Sequence, residues 1–507
     1  MSASAPRPAP IDVRQLGLWS ALLSLGGAFW LLGGMELIER LAYFGVKIVR
    51  VIYASSPRSS GGLGVDLTDF GVILSAWAFV QTALPVVSGG ISDRIGLKRV
   101  LVFATFCKIA SYIVMAFFPT YGGFMVGALL LAFGTGLFKP AVQGAMVRVT
   151  SRLNSSVAWG VFYQVINIGA FLGPLLAAYL RQIEWRYLFL FCAVSVSLNF
   201  VLLAIYREPK SAARAAEVSA AGTRGVLWRE MLAELMRPQV LVYLLLFSGF
   251  WFMFLAMFDI LPIFIHDWID TRVIVQSLFG SGGTGNPAAI FLFGMANTGL
   301  YIKPEGLVNL NSAMIMLMCF AIAGAGARLR AVHSMTLGVL LCSSAMFVFG
   351  AGGGAWACVA GVVIFSIGEM LSSPKFLEFL GNLAPRDKTA MYLGFSALPQ
   401  GIAATLEGYL GPHWYDTWAS KETLARQYLL NHGMQPEAVQ ALPKGEAFEA
   451  LVRITHQSHD TATALLYAQN DVGAIWYVFG TMGILSAVGL WLYGRWVLHM
   501  ARTEALK

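Results

Sequence analysis

Charged side chains interrupt the apolar stretches of this sequence, and the first stretch carries several close together. Glu36, Glu39 and Arg40 fall inside an apolar run at 22–50. In a lipid bilayer each charge would cost about 2.5–3.5 kcal/mol, so the three should face water and pair with one another. At about 100° per residue, Glu36 and Arg40 share one helix face, while Glu39 and Tyr43 share the next. We expect a proton or substrate site; a purely structural ion-pair cluster is the alternative.

Isolated charges also lie in later apolar stretches. Lys139 is deep in the fourth stretch, where an ammonium group needs a carboxylate partner. Glu36 and Glu39 are the natural candidates for that partner. Lys108 and Glu407 also fall in apolar stretches, and each could be an inter-helix partner or take part directly in the site.

Long apolar helices must position these side chains. Of the 507 residues, 57% are hydrophobic and 12% are charged, which is too apolar for a water-soluble surface. A membrane helix needs roughly 20 apolar residues. Such stretches lie near 22–50, 70–92, 99–117, 122–146, 157–180, 186–206, 239–265, 305–327, 332–352, 355–380, 389–411 and 472–498. The sequence therefore predicts an all-α integral membrane protein with twelve spans.

The spans form two groups of six, which suggests two halves around a central site. The expected divisions are a cytoplasmic tail at 1–21, bundles at 22–206 and 239–498, a cytoplasmic linker at 207–238 and a second tail at 499–507. Lys and Arg concentrate in alternate loops, which places both termini in the cytoplasm. The net charge of +8 therefore indicates topology, not nucleic-acid binding. The only Asn-x-Ser/Thr sequon, at Asn154, is on an inward loop, which favours a bacterial inner membrane.

Two outward loops are long, at 266–304 and 412–471. The first contains GSGGTGNP, which lacks the Gly-Lys-Ser/Thr ending of a phosphate loop and is expected to be flexible. The second is polar and partly helix-like around KETLARQYLLNHG. The five cysteines lie inside spans without CxxC spacing, and the loop histidines form no metal-ligand pattern. We predict no cofactor and no metal. An enzyme is the least expected class, because no nucleophile, base and oxyanion set is visible.

A known signature joins the second and third spans. Gly89, Asp93, Arg94, Gly96, Lys98 and Arg99 match the Gly-x-x-x-Asp-Arg-x-Gly-x-Arg/Lys-Arg/Lys pattern of the major facilitator superfamily. Glycine suits a tight turn at this bend, and the charges can pair with neighbouring helix ends in one conformation and separate in another. We expect these residues to serve gating; a generic basic turn is the alternative.

The first span resembles a narrower family. Residues 36–45 are similar to the Glu-x-x-Glu-Arg-Phe-x-Tyr-Tyr-Gly motif of proton-dependent oligopeptide transporters, with Phe44 in place of the second Tyr. Similar segments follow in the family's order, namely GTGLFKP at 134–140, FYQVINIGA at 162–170, LNS at 310–312 and GEMLSSPKFLEFLGNLAP at 368–385. The resemblance implies the major facilitator fold, with twelve transmembrane helices in two six-helix bundles.

The resemblance also implies roles. Arg40 and Lys139 would hold a peptide's terminal carboxylate, and both would join Glu36 and Glu39 in proton coupling. Glu369 would bind the peptide's amino terminus. The other implied substrate contacts are Tyr43, Tyr163, Asn167, Asn311 and Ser373. Two structural alternatives stay open: Glu369 could pair with a basic residue, and the buried asparagines could simply bridge helices.

The seventh span departs from the family. There the family has Trp followed four residues later by an acid, but here Trp251 is followed by Leu255. Asp259 lies one turn further along the same face and should be near the outer surface. We expect Asp259 to be an interfacial or gating residue rather than a substitute for the missing acid.

Three functions are consistent with these observations. The leading one is a monomeric symporter that takes protons and di- or tripeptides, or peptide-like compounds, across the lipid bilayer. The second is a related transporter of another small solute, working as a uniporter or antiporter. The third is a receptor-like protein that no longer transports, in which the intramembrane charges are only structural.

Overall fold

Helices make up almost all of the regular structure. The computed structural model describes residues 18–150, 154–208, 231–326, 331–352, 354–383 and 395–505, together with Leu329 and Tyr392. Apolar runs become helices because lipid offers the backbone no hydrogen-bond partner, whereas a helix satisfies its own. The helices are α1 (Leu18–Leu23), α2 (Gly27–Ser55), α3 (Leu67–Ile95), α4 (Leu97–Phe117), α5 (Tyr121–Val149), α6 (Ser155–Leu180), α7 (Trp185–Ile205), α8 (Pro238–Asp259), α9 (Leu261–Trp268), α10 (Arg272–Phe279), α11 (Pro287–Leu292), α12 (Pro304–Val308), α13 (Leu310–Gly326), α14 (Ala331–Gly350), α15 (Gly354–Leu383), α16 (Ala397–Trp418), α17 (Lys421–Asn431), α18 (Pro436–Gln440), α19 (Ala447–Thr455), α20 (His459–Gln469) and α21 (Ala474–Ala505).

Nine helices of the described ranges are long and apolar enough to cross a membrane: α3 to α8, α14, α15 and α21. Three more complete the set, namely α2, α13 and α16. α2 is less apolar because it carries Glu36, Glu39 and Arg40. Helices α2 to α7 form one bundle, and α8, α13 to α16 and α21 form the other. The predicted major facilitator fold, with twelve membrane helices in two six-helix bundles, is confirmed.

The two ends of the bundles differ in how they are closed. Because the number of spans is even, Leu18 and Ala505 lie at the same end, which we call the terminal side, and the opposite end is the loop side. Asn309 donates a hydrogen bond to the Phe171 carbonyl at 2.8 Å, and Ser75 donates to the Thr405 carbonyl at 2.8 Å. Within the described ranges, hydrogen bonds and ion pairs between the bundles lie midway along the helices or towards the loop side. The loop side is therefore closed in this conformation.

The segment predicted as a polar loop at 412–471 is mostly helical. α16 continues to Trp418, and α17 to α20 follow it as a layer that we call the helical cap. The expected helix around KETLARQYLLNHG is α17, whose first turn is capped by the Ser420 hydroxyl. The cap has its own apolar contacts, since Leu424, Leu451 and Leu466 are buried. Its Lys444 forms an ion pair with Asp66 of the first bundle.

The Gly-rich run GSGGTGNP is a folded turn between α10 and α11. Gly280 and Gly283 have positive φ angles of 85° and 65°, which side chains other than glycine rarely tolerate. A Cβ atom at Gly283 would lie 2.3 Å from the Gly299 carbonyl oxygen. Glycine therefore allows two backbone segments to pack directly against each other here.

Candidate functional site

The charges of α2 form ion pairs inside the first bundle. Glu36 and Arg40 are one helical turn apart, and the Arg40 Nε lies 3.3 Å from the Glu36 Oε1. Arg40 also contacts the Glu39 carboxylate. All three side chains are buried in this conformation. The predicted pairing within α2 is thus present in the structure.

Glycines of α6 make room for these side chains. A Cβ atom at Gly169 would lie 2.6 Å from the Arg40 Cβ, and one at Gly173 would lie 2.5 Å from the Leu41 carbonyl oxygen. Small residues let membrane helices approach closely. The FYQVINIGA segment therefore positions the α2 charges through Gly169, which the sequence analysis did not single out.

Among the described residues, the cation of another helix that forms an ion pair with an acid of α2 is Lys108, not Lys139. Lys108 of α4 is 1% exposed, and its Nζ contacts Glu39. It also lies 4.1 Å from the centre of the Phe138 ring. The α2 acids, the predicted partners of Lys139, act on it electrostatically without forming a close ion pair, whereas Lys108 contacts Glu39 directly. The possibility that Lys108 is an inter-helix partner is confirmed.

Glu36, Glu39, Arg40, Lys108 and Lys139 together form a charged cluster, and Lys139 is its accessible cation. Its side chain is exposed, although the neighbouring Leu137 and Phe138 are buried. Within the described ranges it has no ion pair within 4.0 Å, yet its electrostatic neighbours include Arg40 and Glu36. Lys139 therefore faces the interior of the first bundle rather than lipid, with its ammonium group available to an anion.

Three other predicted contacts surround this cluster in different ways. The Tyr43 ring lies 4.9 Å from the Arg40 guanidinium carbon, and its hydroxyl bonds to Gln81 at 3.3 Å. Asn167 donates to the Tyr163 carbonyl of its own helix at 3.0 Å. The Tyr163 side chain is 49% exposed. Tyr163 is thus the most accessible of the three, while Tyr43 is held against α3.

The second bundle contributes an acid held by an amide. The Asn311 Nδ2 donates to the Glu369 Oε2 at 2.9 Å and to the Ser366 Oγ at 3.1 Å. The nearby cation that acts on Glu369 is Lys47 of α2. The Ser373 Oγ, one turn beyond Glu369, is buried without a hydrogen-bond partner among the described residues. Asn311 therefore orients Glu369, and Ser373 keeps an unused hydroxyl.

The predicted gating turn is partly described. Gly96 separates α3 from α4 with a φ of 107°, as expected for glycine at the bend. The Lys98 Nζ donates to the Tyr206 carbonyl at 2.7 Å, and Arg99 is exposed. For Gly89, Asp93 and Arg94 only the backbone is described, as the last turns of α3, and their predicted contacts lie outside the described part of the structure.

Asp259 lies at the loop-side end of its span, as its position in the sequence predicts, but it is enclosed there. It is the last residue of α8 and is only 3% exposed, and its Oδ1 accepts a hydrogen bond from the Arg50 Nη2 at 2.6 Å. Glu407 of α16 is buried beside it. Sequence reasoning missed Arg50; the signal was a charged residue at the far end of a span that already carried Glu36 and Arg40.

Together these residues present opposite charges on the two bundles. In the first bundle the two carboxylates of Glu36 and Glu39 and the three cations Arg40, Lys108 and Lys139 carry one excess positive charge when all five are ionised. The second bundle presents Glu369. Such an arrangement can hold a small molecule that has a negative group at one end and a positive group at the other.

Comparison with known proteins shows the family. The family model described as Major Facilitator Superfamily matches residues 18–406. The chain is 24% identical over 429 residues to the dipeptide and tripeptide permease A of Pectobacterium carotovorum, covering 76% of this chain and 82% of the relative. It is also 24% identical over 350 residues to the multidrug resistance protein MdtH of Shigella dysenteriae, covering 68% and 76%.

Solved structures show the same architecture. A POT family transporter in complex with a thioalcohol-conjugated peptide superimposes with a TM-score of 0.66 and 16% identity, covering 94% of this chain and 99% of that structure. The peptide transporter POT in complex with sulfate superimposes with a TM-score of 0.64 and 17% identity, covering 95% of this chain and 98% of that structure. These likenesses confirm the predicted resemblance at the level of the fold.

Proposed function

Because this chain belongs to the Major Facilitator Superfamily, we propose that it moves short peptides or peptide-like compounds across the membrane together with protons. The observation that carries the proposal is that one bundle presents an accessible cation, Lys139, and the other bundle presents an acid, Glu369. A short peptide at neutral pH is a zwitterion with one charge at each end. The similarity to a dipeptide and tripeptide permease supports the same substrate class.

Each substrate end has a defined partner in this proposal. The peptide carboxylate binds Lys139 and Arg40, because charge-assisted hydrogen bonds to carboxylates are the strong ones in proteins. The peptide ammonium binds Glu369, which Asn311 holds in place. Tyr163 and the Ser373 hydroxyl line the route between the two ends, where Asn167 also lies. Tyr43 acts indirectly, by packing against Arg40.

Glu36 carries the coupled proton in this proposal. Glu39 contacts two cations, Arg40 and Lys108, which favour its ionised form. Among the described residues Glu36 forms an ion pair with Arg40 alone, and its Oε2 is buried without a hydrogen-bond partner there. A substrate carboxylate that binds Arg40 weakens the Arg40–Glu36 pair and promotes protonation of Glu36. Substrate and proton therefore bind together.

Alternating access completes the mechanism. The closed loop side and the accessible Lys139 and Tyr163 are consistent with a state that communicates with the terminal side. We place that side in the cytoplasm of a bacterial cell, with the protein in the inner membrane and both termini inside, and we expect a monomer to suffice. The motif around Gly96 and Lys98 then serves the terminal-side gate.

Uptake into proteoliposomes tests this function. With acid outside and neutral buffer inside, a labelled dipeptide should accumulate, and a protonophore should abolish accumulation. Glu36→Gln should abolish gradient-driven uptake while leaving exchange of peptide across the membrane. Glu437→Gln, on an exposed part of the helical cap, is the matched control and should behave like the wild type. Dipeptide uptake that is independent of the proton gradient would contradict symport.

A second candidate function is transport of a more apolar compound. The similarity to MdtH favours it, as does the replacement of an acid by Leu255 on α8. In this case the same liposomes would show no dipeptide uptake but would carry an apolar cation. Competition between the two compounds in one assay decides between the candidates.

A further inference from the structure

A second buried charge cluster lies towards the loop side, apart from the candidate substrate site. It consists of Arg50 on α2, Asp259 on α8 and Glu407 on α16, so it joins the two bundles. The Arg50 guanidinium lies over the Trp77 ring, 4.8 Å from its centre, and pairs with Asp259. All three charged side chains are buried, and Glu407 is completely inaccessible.

Among the described residues, no hydrogen-bond donor satisfies Glu407 as an anion. Neither of its carboxyl oxygens accepts a hydrogen bond from any described residue. Its close polar neighbour is the Asp259 carboxyl group, which lies within hydrogen-bonding reach. A Cβ atom at Gly411 would lie 2.6 Å from the Glu407 Oε1, so the backbone of α16 encloses the group. Burying a bare carboxylate beside a second carboxylate is strongly unfavourable.

The surroundings supply too few positive charges for two carboxylates. The charged groups that act on Glu407 are Asp259 on α8 and Arg50 and Lys47 on α2. Lys47 is shared, because it also acts on Glu369 and its Nζ lies 5.5 Å from the centre of the Phe258 ring. The other face of α16 packs on α3, which presents Gly71, Leu74 and Ser75. Arg50 is therefore the one direct ion-pair partner of this carboxyl pair among the described residues.

We propose that Asp259 and Glu407 share one proton, and that this carboxyl pair is a proton-binding site which latches the loop side shut. The protonated Glu407 carboxyl group donates a hydrogen bond to Asp259, and Asp259 keeps its ion pair with Arg50. The three buried side chains therefore carry no net charge in the closed state. When the loop side opens, water reaches the pair and the proton leaves to that water. Closure therefore takes up one proton from the loop side. The inference concerns closure and stands whichever solute is carried.

Distance measurements across the loop side test the latch. Spin labels at Pro119→Cys in the first bundle and Ser281→Cys in the second, both on exposed loops, report opening by electron–electron double resonance. The native cysteines are first replaced by serine or alanine. In the wild type, raising the pH should lower the ratio of closed to open molecules by up to about tenfold per pH unit, over the range in which the open form has lost this proton and the closed form still holds it. In Glu407→Gln the amide donates to Asp259 permanently, and this pH-dependent fall should disappear.

The pH dependence of the closed-to-open ratio is compared between the wild type and each variant, because other groups on the loop side also titrate. Asp259→Asn provides a second test, since Arg50 can then pair with Glu407 and closure should again lose this pH dependence. Glu437→Gln is the control and should retain the wild-type profile. If Glu407→Gln and Asp259→Asn both keep the wild-type profile, the shared proton is refuted. Loss of dipeptide uptake with an intact pH-dependent latch would instead count against the proposed substrate.

Discussion

Two lysines at similar depth in the first bundle have opposite surroundings, and this difference can be measured. Lys108 is buried and paired with Glu39, whereas Lys139 is exposed and has no ion pair among the described residues. Removing one partner of a buried pair leaves an uncompensated charge and costs about 3–5 kcal/mol. Lys108→Met should therefore lower the melting temperature strongly. Lys139→Met should leave it nearly unchanged and abolish peptide binding.

Melting in detergent and dipeptide binding, measured on the same samples, check this prediction. The two variants remove the same charge from neighbouring helices, so each is the other's control. Equal loss of stability in both variants would contradict the assignment of Lys108 to the fold and Lys139 to the substrate.

At the scale of residues, the sequence predicts which charges matter better than it predicts their partners. Glu36, Arg40 and Glu369 stand out because charges are rare in apolar spans. The periodicity of one helix gives pairs within that helix, such as Glu36 with Arg40. It does not give the rotation of a neighbouring helix, so the sequence alone does not show that the lysine in contact with Glu39 is Lys108.

At the scale of helices, the contact between α2 and α6 depends on Gly169. A Cβ atom there would lie 2.6 Å from the Arg40 Cβ and 3.1 Å from the Leu37 carbonyl oxygen. Overpacking of this kind costs about 1–3 kcal/mol. Gly169→Ala should therefore displace Arg40, weaken dipeptide binding and lower the melting temperature.

Gly122→Ala is the matched control for this prediction. Gly122 lies in the first turn of α5, and a Cβ atom there would meet nothing within 4 Å. Alanine is favoured over glycine in helices by roughly 0.5–1 kcal/mol, so this variant should be as stable as the wild type or slightly more so. Full binding by Gly169→Ala, at wild-type stability, would show that the close contact does not position Arg40.

The long spans were predictable, whereas the loop-side helices, apart from α17, were not. Each span needs about 20 apolar residues to cross the bilayer, and such stretches can be recognised in the sequence. The helices of the cap are short, and their stability comes from packing of residues such as Leu424, Leu451 and Leu466. A polar sequence with a few buried positions does not reveal that packing before the fold is known.

At the scale of the whole molecule, the sequence predicts two bundles but not which side is closed. An alternating-access transporter must be stable in both states, so one sequence encodes both sets of contacts. Asp259 illustrates this point. Its place in the sequence predicts that it lies near the end of a span, but not that closure of the loop side brings Arg50 and Glu407 around it and buries it.

Closure of the loop side also buries Lys303, which precedes α12 outside the membrane-spanning helices. Its Nζ donates to the Ala178 carbonyl of the first bundle. Burial lowers the pKa of Lys303 to about 7; nearby Glu305 opposes this shift and Arg181 adds to it. When the bundles separate, the amine returns to water, where its pKa is about 10.4. The open form therefore binds more protons than the closed form between these two pH values.

From about pH 7 to about 10.4, raising the pH favours the closed form, because only the open form then loses protons. Below about pH 7 the lysine is charged in both forms, and closure carries the full cost of burying it. With spin labels at positions 119 and 281, the closed fraction is measured at each pH in the wild type and in Lys303→Met. The difference between the two proteins, wild type minus variant, should rise between pH 7 and 9. This contribution is opposite in sign to that of the Asp259–Glu407 pair, so the two variants separate them.

Lys444→Met is the matched control, since Lys444 also pairs across the bundles but is half exposed. Its removal should reduce closure by a similar factor at every pH in this range, because an exposed ion pair contributes only about 0–1 kcal/mol and does not depend on a buried neutral amine. A Lys303→Met protein that keeps the wild-type pH profile would mean that Lys303 stays solvated when the loop side closes. A profile that flattens only in Lys303→Met would identify this lysine as the group through which loop-side pH above 7 favours the closed state.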